Sequence, residues 1–436
     1  MNNYQQIINY LFALQRHGIK LALNNIITLL KSLDNPEKAW PCVHVAGTNG
    51  KGSTAAMMES ILMKAGYRVG LYTSPHLVDL RERIRINRIL IPEKDVIDFT
   101  SEVKPLIEKI AASFFEATTA MAFWYFRKEK VDIAIIEVGL GGRLDSTNVV
   151  NPVVSVITSI DLDHQKYLGE TLEEIATEKA GIIKPNVPCI TNNRNVQVLD
   201  ILARKARSQN SQLTNVKDIS RYQIISMSLE ETVVNLQIAD LEFKGLRLNL
   251  PGHHQIDNAC LAIGAILNLQ EIPKISTENV VDGMIDVRWR GRINLITREP
   301  FLIIDVSHNA SGFDRTLSFL GDYFPKDRLK VVTALQEDKD FRKIGDLLSL
   351  YSSEVYVVDL KSGKPLDPSK LVGVLKHKGA KAAIVNSFGE IQETIFNSKW
   401  INHLWLVIGS HYLAAEAYQS LPKGLQYHRG AENQTS

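Results

Sequence analysis

Between Cys42 and Ser53 the chain reads C-V-H-V-A-G-T-N-G-K-G-S, a stretch suited to holding phosphate. A short apolar run, with Val43 and Val45, empties into Gly47-Thr48-Asn49-Gly50-Lys51-Gly52-Ser53. Apolar residues then recur at Ala55, Met58, Leu62 and Ala65 at helical spacing, and Gly66 is a helix stop. Strand, glycine-rich turn and helix is the layout of a phosphate-binding loop. Glycines let backbone N–H groups close around phosphate oxygens, and the helix N-terminus adds partial positive charge. Lys51 would reach the outer phosphates, and the Ser53 hydroxyl stands where a Mg²⁺ ligand is expected. The match to the usual pattern is imperfect: Val45 fills the first glycine position, and Gly52 separates Lys51 from Ser53. The plainer alternative is a glycine-rich turn with a solvated Lys51.

Two further strand ends carry groups that suit such a site. Val131-Asp132-Ile133-Ala134-Ile135-Ile136 runs into Glu137 and then Val138-Gly139-Leu140-Gly141-Gly142-Arg143. Val153-Val154-Ser155-Val156-Ile157-Thr158 is followed by Asp161-Leu162-Asp163-His164. Near-continuous apolar runs signal parallel strands covered on both faces. Open α/β sheets bind ligands outside the carboxyl ends of such strands. Lys51 with Ser53, Glu137 and His164 would therefore meet at one edge, supplying a cation for phosphate and oxygen or imidazole ligands for metal ions. Taken singly, Glu137 could equally satisfy nearby N–H groups, and His164 could be a surface histidine. The arginines at 81, 83, 85 and 88 read as the solvated basic face of a two-sided strand, with a basic loop beside a triphosphate as the sharper alternative.

Around these groups, the periodicity predicts an amphipathic helix over residues 19–33, ended by Asp34-Asn35-Pro36. A strand at 68–72 runs into Thr73-Ser74-Pro75-His76, and helices are expected at 93–112, 116–128 and 171–180. The aromatics at 123–126 read as core. Residues 186–250 read as mixed strands and helices covering the first sheet, and Pro251-Gly252-His253-His254-Gln255 leads a helix with Asn258 on its first turns. The expected domain boundary falls at 295/296, between a unit of residues 1–295 and one of residues 296–436. Beyond it a strand ends in Asp305, and further strands are expected at 330–334, 354–358, 382–385 and 404–408 with helices between, a second and smaller doubly wound unit. The polar tail from residue 426 is expected to fray.

With 436 residues, two or three domains are expected. Fifty basic against 48 acidic residues leave a net charge of +2, which offers no electrostatic case for nucleic acid or an anionic membrane as partner. Cys42, Cys189 and Cys260 form no C-x-x-C pair and read as reduced core thiols, compatible with cytoplasm. No signal peptide is apparent at the N-terminus, and no uncharged apolar run is long enough to span a bilayer.

Six segments occur in a familiar order: H-V-A-G-T-N-G-K-G-S, Y-T-S-P-H-L, E-V-G-L-G-G-R-L-D-S-T-N, D-H-Q-K-Y-L-G, E-K-A-G-I-I-K and D-V-S-H-N. Together they resemble the folylpolyglutamate synthase/dihydrofolate synthase family, within the Mur-ligase superfamily, and the likeness extends from residue 19 to 412. The resemblance implies an α/β fold: a P-loop ATPase domain with a parallel-rich sheet, joined to a smaller C-terminal Rossmann-like domain that closes onto ATP. It implies that Thr48, Asn49, Gly50, Lys51, Gly52 and Ser53 bind the ATP phosphates, with Asn258, Arg292 and Asp305 as further nucleotide contacts. His308 and Asn309 belong to the same motif as Asp305. Two Mg²⁺ ions are implied, one held by Ser74 and Glu137 and the other by His164. Lys179 is implied to be carbamylated, and Lys51, His164 and carbamylated Lys179 to be the catalytic groups. The pterin or folate pocket would be lined by Lys20, Leu21, Ala22 and Leu23, by Ser113, Phe114, Phe115 and Glu116, and by Leu144, Asp145 and Ser146.

The activity implied is ATP-dependent addition of L-glutamate to dihydropteroate, to the glutamate tail of tetrahydrofolates, or to both, through an acyl phosphate. Three positions depart from the family pattern. Lys20 stands where bifunctional members carry an acidic residue, Arg290 where a proline is usual, and Ala310 where a proline commonly follows His-Asn. The first leaves open a folylpolyglutamate synthase without the dihydropteroate activity. The other readings are a cell-wall Mur ligase, whose usual N-terminal domain for a UDP-sugar is missing here, and, from another class, a P-loop kinase or nucleotide switch. The expected partners are small molecules, and a monomer is the default.

Overall fold

The strongest apolar runs of the sequence become the buried strands of two sheets. The computed structural model describes residues 3–18, 20–269, 275–397, 402–422 and 424–425, so Ile19 and the tail expected to fray lie outside the described residues. The first sheet uses β1 (Cys42–Ala46), β2 (Val69–Tyr72), β3 (Ile84–Ile86), β4 (Ile89–Leu90), β5 (Ile133–Glu137), β6 (Val154–Ile157), β7 (Cys189–Thr191) and β8 (Leu213–Asn215). Their order is β4-β3-β2-β5-β1-β6-β7-β8. From β2 to β8 every pairing is parallel, and β3 and β4 add antiparallel at one edge. Each residue of β1, β5 and β6 is buried, as expected where helices cover both faces.

One face carries the helix Lys51–Lys64 together with His253–Leu267 and Thr277–Ile285. The strands β9 (Ser220–Met227), β10 (Thr232–Ile238) and β11 (Leu241–Leu248) form a separate antiparallel sheet packed on that same layer. The other face is covered by Asn3–Ala13, Asn24–Ser32, Glu93–Lys109 and Phe114–Lys128, with Phe123 and Phe126 fully buried. The region 186–250 is thus divided. Its first part extends the main sheet through β7 and β8, and its second part covers that sheet.

The second unit is a six-stranded sheet ordered β12-β13-β17-β14-β15-β16. Its strands are β12 (Asn294–Arg298), β13 (Phe301–Ile304), β14 (Leu329–Thr333), β15 (Glu354–Val358), β16 (Lys381–Val385) and β17 (Leu404–Ile408). Only β12 runs antiparallel. Helices cover both faces. All five strands expected beyond residue 300 are present within one residue of their expected bounds.

Two expectations are corrected. The helix expected over 19–33 starts only at Asn24, because Gly18 turns the chain at φ +68 and the Lys20 ammonium donates to the Ala111 carbonyl at 2.6 Å. The arginines are not a solvated face. Arg81 pairs with Asp79 at 2.8 Å, Arg83 donates to His76 Nδ1 at 2.8 Å, and Arg88 reaches Asp286 at 3.0 Å and Ser60 Oγ at 2.9 Å. Arg85 forks onto Glu59 at 3.1 and 2.5 Å, with the two side chains 7% and 1% exposed. The partners of Arg85 and Arg88 lie 26 and 198 residues away, beyond the reach of local pattern.

Removing one member of a buried ion pair leaves an uncompensated charge, which costs roughly 3–5 kcal/mol. Arg85→Ala should therefore lower the denaturation midpoint strongly. Arg85→Met with Glu59→Leu, which removes both charges, should lower it much less. Equal losses in the two proteins would contradict this account of the pair.

Candidate active site

The sheet order sets the carboxyl ends of β5, β1 and β6 side by side, with Val45 in register with Glu137 and Ala46 with Ile157. The loop after β1 is fixed on the β6 side: Thr48 N donates to Ser159 O at 2.7 Å, and Thr48 Oγ1 to Asp161 O at 3.1 Å. Two glycines are required by contact as well as by angle. At Gly47, φ is +146 and a Cβ would fall 1.7 Å from Thr158 Oγ1; at Gly50, φ is +92 and a Cβ would fall 2.5 Å from Asn258 Oδ1. The helix Lys51–Lys64 has no side-chain cap, so its first N–H groups are left for an anion. The Lys51 ammonium is folded over its own loop, 3.1 Å from Gly47 O and 3.2 Å from Thr48 O.

Around this loop stand an acid, a hydroxyl, an imidazole and a second lysine. Glu137 is buried at the tip of β5 and accepts from Ser74 N at 3.2 Å. Burial pushes its carboxyl up, against the charge of Lys51 and the Ser74 N–H. Ser53 Oγ is buried and finds no hydrogen-bond partner among the described residues. Hard oxygen donors of this kind fit Mg²⁺. His164 sits at φ +51, left-handed for a non-glycine residue, just before the short helix Gln165–Leu168. Burial pushes its imidazole down to about 4, so the ring is neutral and able to ligate. Lys179 closes the group from the helix Leu172–Ala180, which Thr171 and Glu174 start with a capping box. It is 4% exposed and donates to Gly47 O at 2.9 Å; burial, and then the charge of Lys51, push its amine down to about 7.

The second unit forms the opposite wall. Asp305, just past β13, is held by N–H groups from Ile293 at 2.9 Å and Ser307 at 2.8 Å. Asp161 accepts from Asn49 at 3.1 Å and from Ser311 and Arg315 at 3.2 Å each. Asp163 accepts from Asn309 at 3.0 Å and Lys339 at 2.6 Å. Burial alone would raise the Asp163 carboxyl, but the His308 hydrogen bond and the Lys339 ammonium hold it well below the usual carboxylate range. Asp163, His164 and Asp338 offer three ligand atoms within 4.8 Å of one another.

The resulting cleft has a volume of about 1110 Å³, counting its open mouth. Its walls include Thr48, Asn49, Gly50, Lys51, Gly52 and Ser53, then Ser74, Glu137, His164 and Lys179, and finally Asn258, Arg292, Asp305 and His308. Every nucleotide and metal candidate of the sequence thus faces one space. Sequence reasoning passed over His254, Gln255, Arg315 and His411, which line the cleft too, and Lys339 and Asp338, which reach its rim. Asp163 was within sight, one residue before His164. Arg315 and Lys339 gave no local signal.

The pterin candidates lie apart from the cleft, on the opposite face of the sheet from the P-loop helix. Lys20 leans on Ala111. Ser113 and Glu116 cap the helix Phe114–Lys128 reciprocally, and Asn25 donates to Glu116 at 3.3 Å. Phe114 stacks on Phe12 and lies under the Arg83 guanidinium. Phe115 packs on Gly139, which does line the cleft. Asp145 accepts from Thr147 N and Oγ1 with one oxygen and from Leu140 N with the other, which makes it a brace for the loop after β5. Ser146 is buried beside it, Leu144 half-buried, and Leu21 and Ala22 exposed.

Residues 45–266 match the Mur ligase middle domain family. A dihydrofolate synthase/folylpolyglutamate synthase of Bacillus subtilis is 36% identical over 78% of this chain and 81% of its own length. A bifunctional folylpolyglutamate synthase/dihydropteroate synthase of Haloferax volcanii is 33% identical over 95% of this chain, which spans 50% of that longer protein. The structure of E. coli FolC in complex with DHPP and ADP superposes with a TM-score of 0.86 at 28% identity, covering 95% of this chain and 97% of that one. No described helix is long and apolar enough to cross a membrane. The chain belongs to the folylpolyglutamate synthase/dihydrofolate synthase family, ATP-dependent amide ligases within the Mur ligase superfamily.

Proposed function

We propose that this protein uses ATP to join the amine of L-glutamate to a carboxylate of dihydropteroate, of a tetrahydrofolate glutamate tail, or of both. The observation that carries the reading is the meeting of Lys51, Ser53, Glu137, His164 and Lys179 in one cleft walled by the second unit. A carboxylate resists amines because oxide is a poor leaving group. In the first step an acceptor carboxylate oxygen attacks the γ-phosphorus, the bond to the ADP oxygen breaks, and an acyl phosphate forms. In the second, the glutamate nitrogen attacks the acyl carbon, loses a proton, and expels phosphate as the amide closes. The protein positions the partners and spreads the charge that builds on the moving phosphoryl group.

Lys51 and the N–H groups that open its helix face that charge. Ser53, Ser74 and Glu137 would hold one Mg²⁺, and His164 with carbamylated Lys179 a second. Bound Mg²⁺ supplies charge neutralisation and orients the phosphates. An ammonium beside a metal ion is repelled, whereas a carbamate is a carboxylate aimed at it. Burial that brings the Lys179 amine down to about 7 makes the neutral form that adds CO₂ accessible. Domains 1–295 and 296–436 would close on ATP between them. Three buried thiols outside any disulfide suit a cytoplasmic protein, and a monomer is the default.

The test supplies ATP, Mg²⁺ and L-glutamate with either dihydropteroate or tetrahydrofolate, and reads ADP release and product mass. Each product should be one glutamyl residue heavier than its acceptor. ADP release that ignores added glutamate would point instead to a kinase or a switch.

A further inference from the structure

Gly52 is the residue of the phosphate loop that the mechanism above leaves without a task. The usual pattern puts a serine or threonine directly after the loop lysine, and here Ser53 stands one place later. Gly52 lies inside the helix Lys51–Lys64, where glycine is a poor helix former, and its φ is not in the left-handed region. The backbone therefore does not ask for glycine at this position. A neighbour does: a Cβ at Gly52 would fall 2.7 Å from Cζ2 of Trp289 and 3.0 Å from its Cε2 and Nε1.

An indole could swing aside if it were loose, and this one is not. The Arg85 guanidinium lies over its ring, 5.0 Å from the centroid, and Arg85 is itself forked onto Glu59. Glu59 stands on the same helix as Gly52, seven residues and so two turns further along one face. Glycine, indole, guanidinium and carboxylate thus close a circuit on the P-loop helix. The segment that carries Trp289 serves both units. Ahead of Trp289 it is fastened to the P-loop helix, where Ser60 donates to Gly283 O at 2.7 Å, and to Arg88, which donates to Asp286 O at 2.7 Å. Beyond Trp289 it is fastened to the second unit, where Val306 N donates to Gly291 O at 3.0 Å and Ile293 N to Asp305 Oδ2 at 2.9 Å. Arg292 and Asp305 both line the cleft.

We propose that Trp289 is a positioning residue: its indole, seated on the bare backbone of Gly52 and held there by Arg85, sets how far Arg292 and Asp305 stand from the phosphate loop. Gly52 is glycine in order to seat that ring, and Ser53 and Ser74 are left as the hydroxyl donors. The rate readout below rests on the ligase reading above, whereas the binding readout does not. Trp289 acts only by placing groups that would touch the nucleotide. Misplacing such groups by about 1 Å can cost roughly 10²-fold in rate.

The experiment is a double-mutant cycle of Gly52→Ala and Trp289→Leu in the full chain, with Trp289→Phe alongside. It reads kcat from ADP release with tetrahydrofolate and L-glutamate, the dissociation constant of a fluorescent ATP analogue, and the denaturation midpoint. Trp289→Leu should lower kcat by roughly 10²-fold. It should weaken the analogue by roughly tenfold, the loss of about one charge-assisted contact. Trp289→Phe, which keeps a ring beneath Arg85, should recover most of both. Gly52→Ala should lose about as much as Trp289→Leu in the wild-type background and nothing further beside Trp289→Leu, because the added methyl acts only by evicting the indole. An equal cost of Gly52→Ala in both backgrounds would overturn the proposal, since the glycine would then serve the phosphates directly. A lowered midpoint with unchanged kcat and affinity in Trp289→Leu would overturn it too, as the mark of plain packing. Trp289→Met replaces Trp289→Leu in the cycle if the latter does not fold. Turnover of no acceptor by wild type would sink the ligase reading alone, and the analogue's affinity through the same cycle would still decide the role of Trp289.

Discussion

Lys51→Ala is expected to cut glutamate-dependent ADP release by about 10³-fold, and Glu137→Ala by a similar factor, the loss seen when a preorganised charge-stabilising group is removed from a dry site. The Lys51 ammonium rests on two carbonyls of its own loop, so it is already desolvated from one side and aimed across the space where phosphate would lie. Glu137 is buried at a strand tip with the Ser74 N–H on one oxygen, leaving the other for a cation. Both variants should still fold, because neither side chain anchors a packed element. Nucleotide affinity, followed by displacement of a fluorescent ATP analogue, should weaken far less than kcat, because the backbone N–H groups of the loop remain. Lys51→Arg should not restore turnover: a planar fork cannot occupy the place of a point charge under two carbonyls. Turnover within a few-fold of wild type in Lys51→Ala or Glu137→Ala would remove the site from the protein's chemistry.

The second large effect is expected at Lys179. If its amine adds CO₂, then stripping dissolved CO₂ and bicarbonate should slow turnover, and adding bicarbonate should restore it. Lys179→Ala should lose roughly 10²–10³ of kcat, and acetate or formate at millimolar concentration should return part of that loss. Labelled bicarbonate should give a carbamate carbon signal in wild type that Lys179→Ala lacks. The unmodified residue has its own signature. Its folded value of about 7 lies below the 10.5 of a free lysine, so between these pH values the unfolded chain holds a proton that the folded chain does not. Stability should therefore rise with pH across that window, the unfolded state binding more protons, and Lys179→Met should flatten the slope. A slope that Lys179→Met flattens, with no carbamate signal, would leave Lys179 as a plain buried lysine.

The parts of this molecule that were legible in the sequence are those where the signal is local. Five strands of the second unit announced themselves as short apolar runs. The loop at Gly47–Ser53 announced itself by glycines that the backbone requires, Gly47 against Thr158 and Gly50 against Asn258. Glu137 and His164 followed from standing at the ends of buried strands, once parallel topology was assumed. What stayed hidden depends on partners distant along the chain. Arg88 looked like surface charge until Asp286, 198 residues on, came to meet it. Lys339 reaches Asp163 across 176 residues. The helix at Asn24 began late because a single glycine turned the chain, which hydrophobic spacing alone does not register.

The bridges from Asp161 and Asp163 to Asn309, Ser311, Arg315 and Lys339 join the two units. Each must break whenever the mouth widens. The residence time of spent ADP, rather than bond making, then becomes sensitive to these two aspartates. Loosening them would trade a faster exit for leakage of an activated acyl group to water.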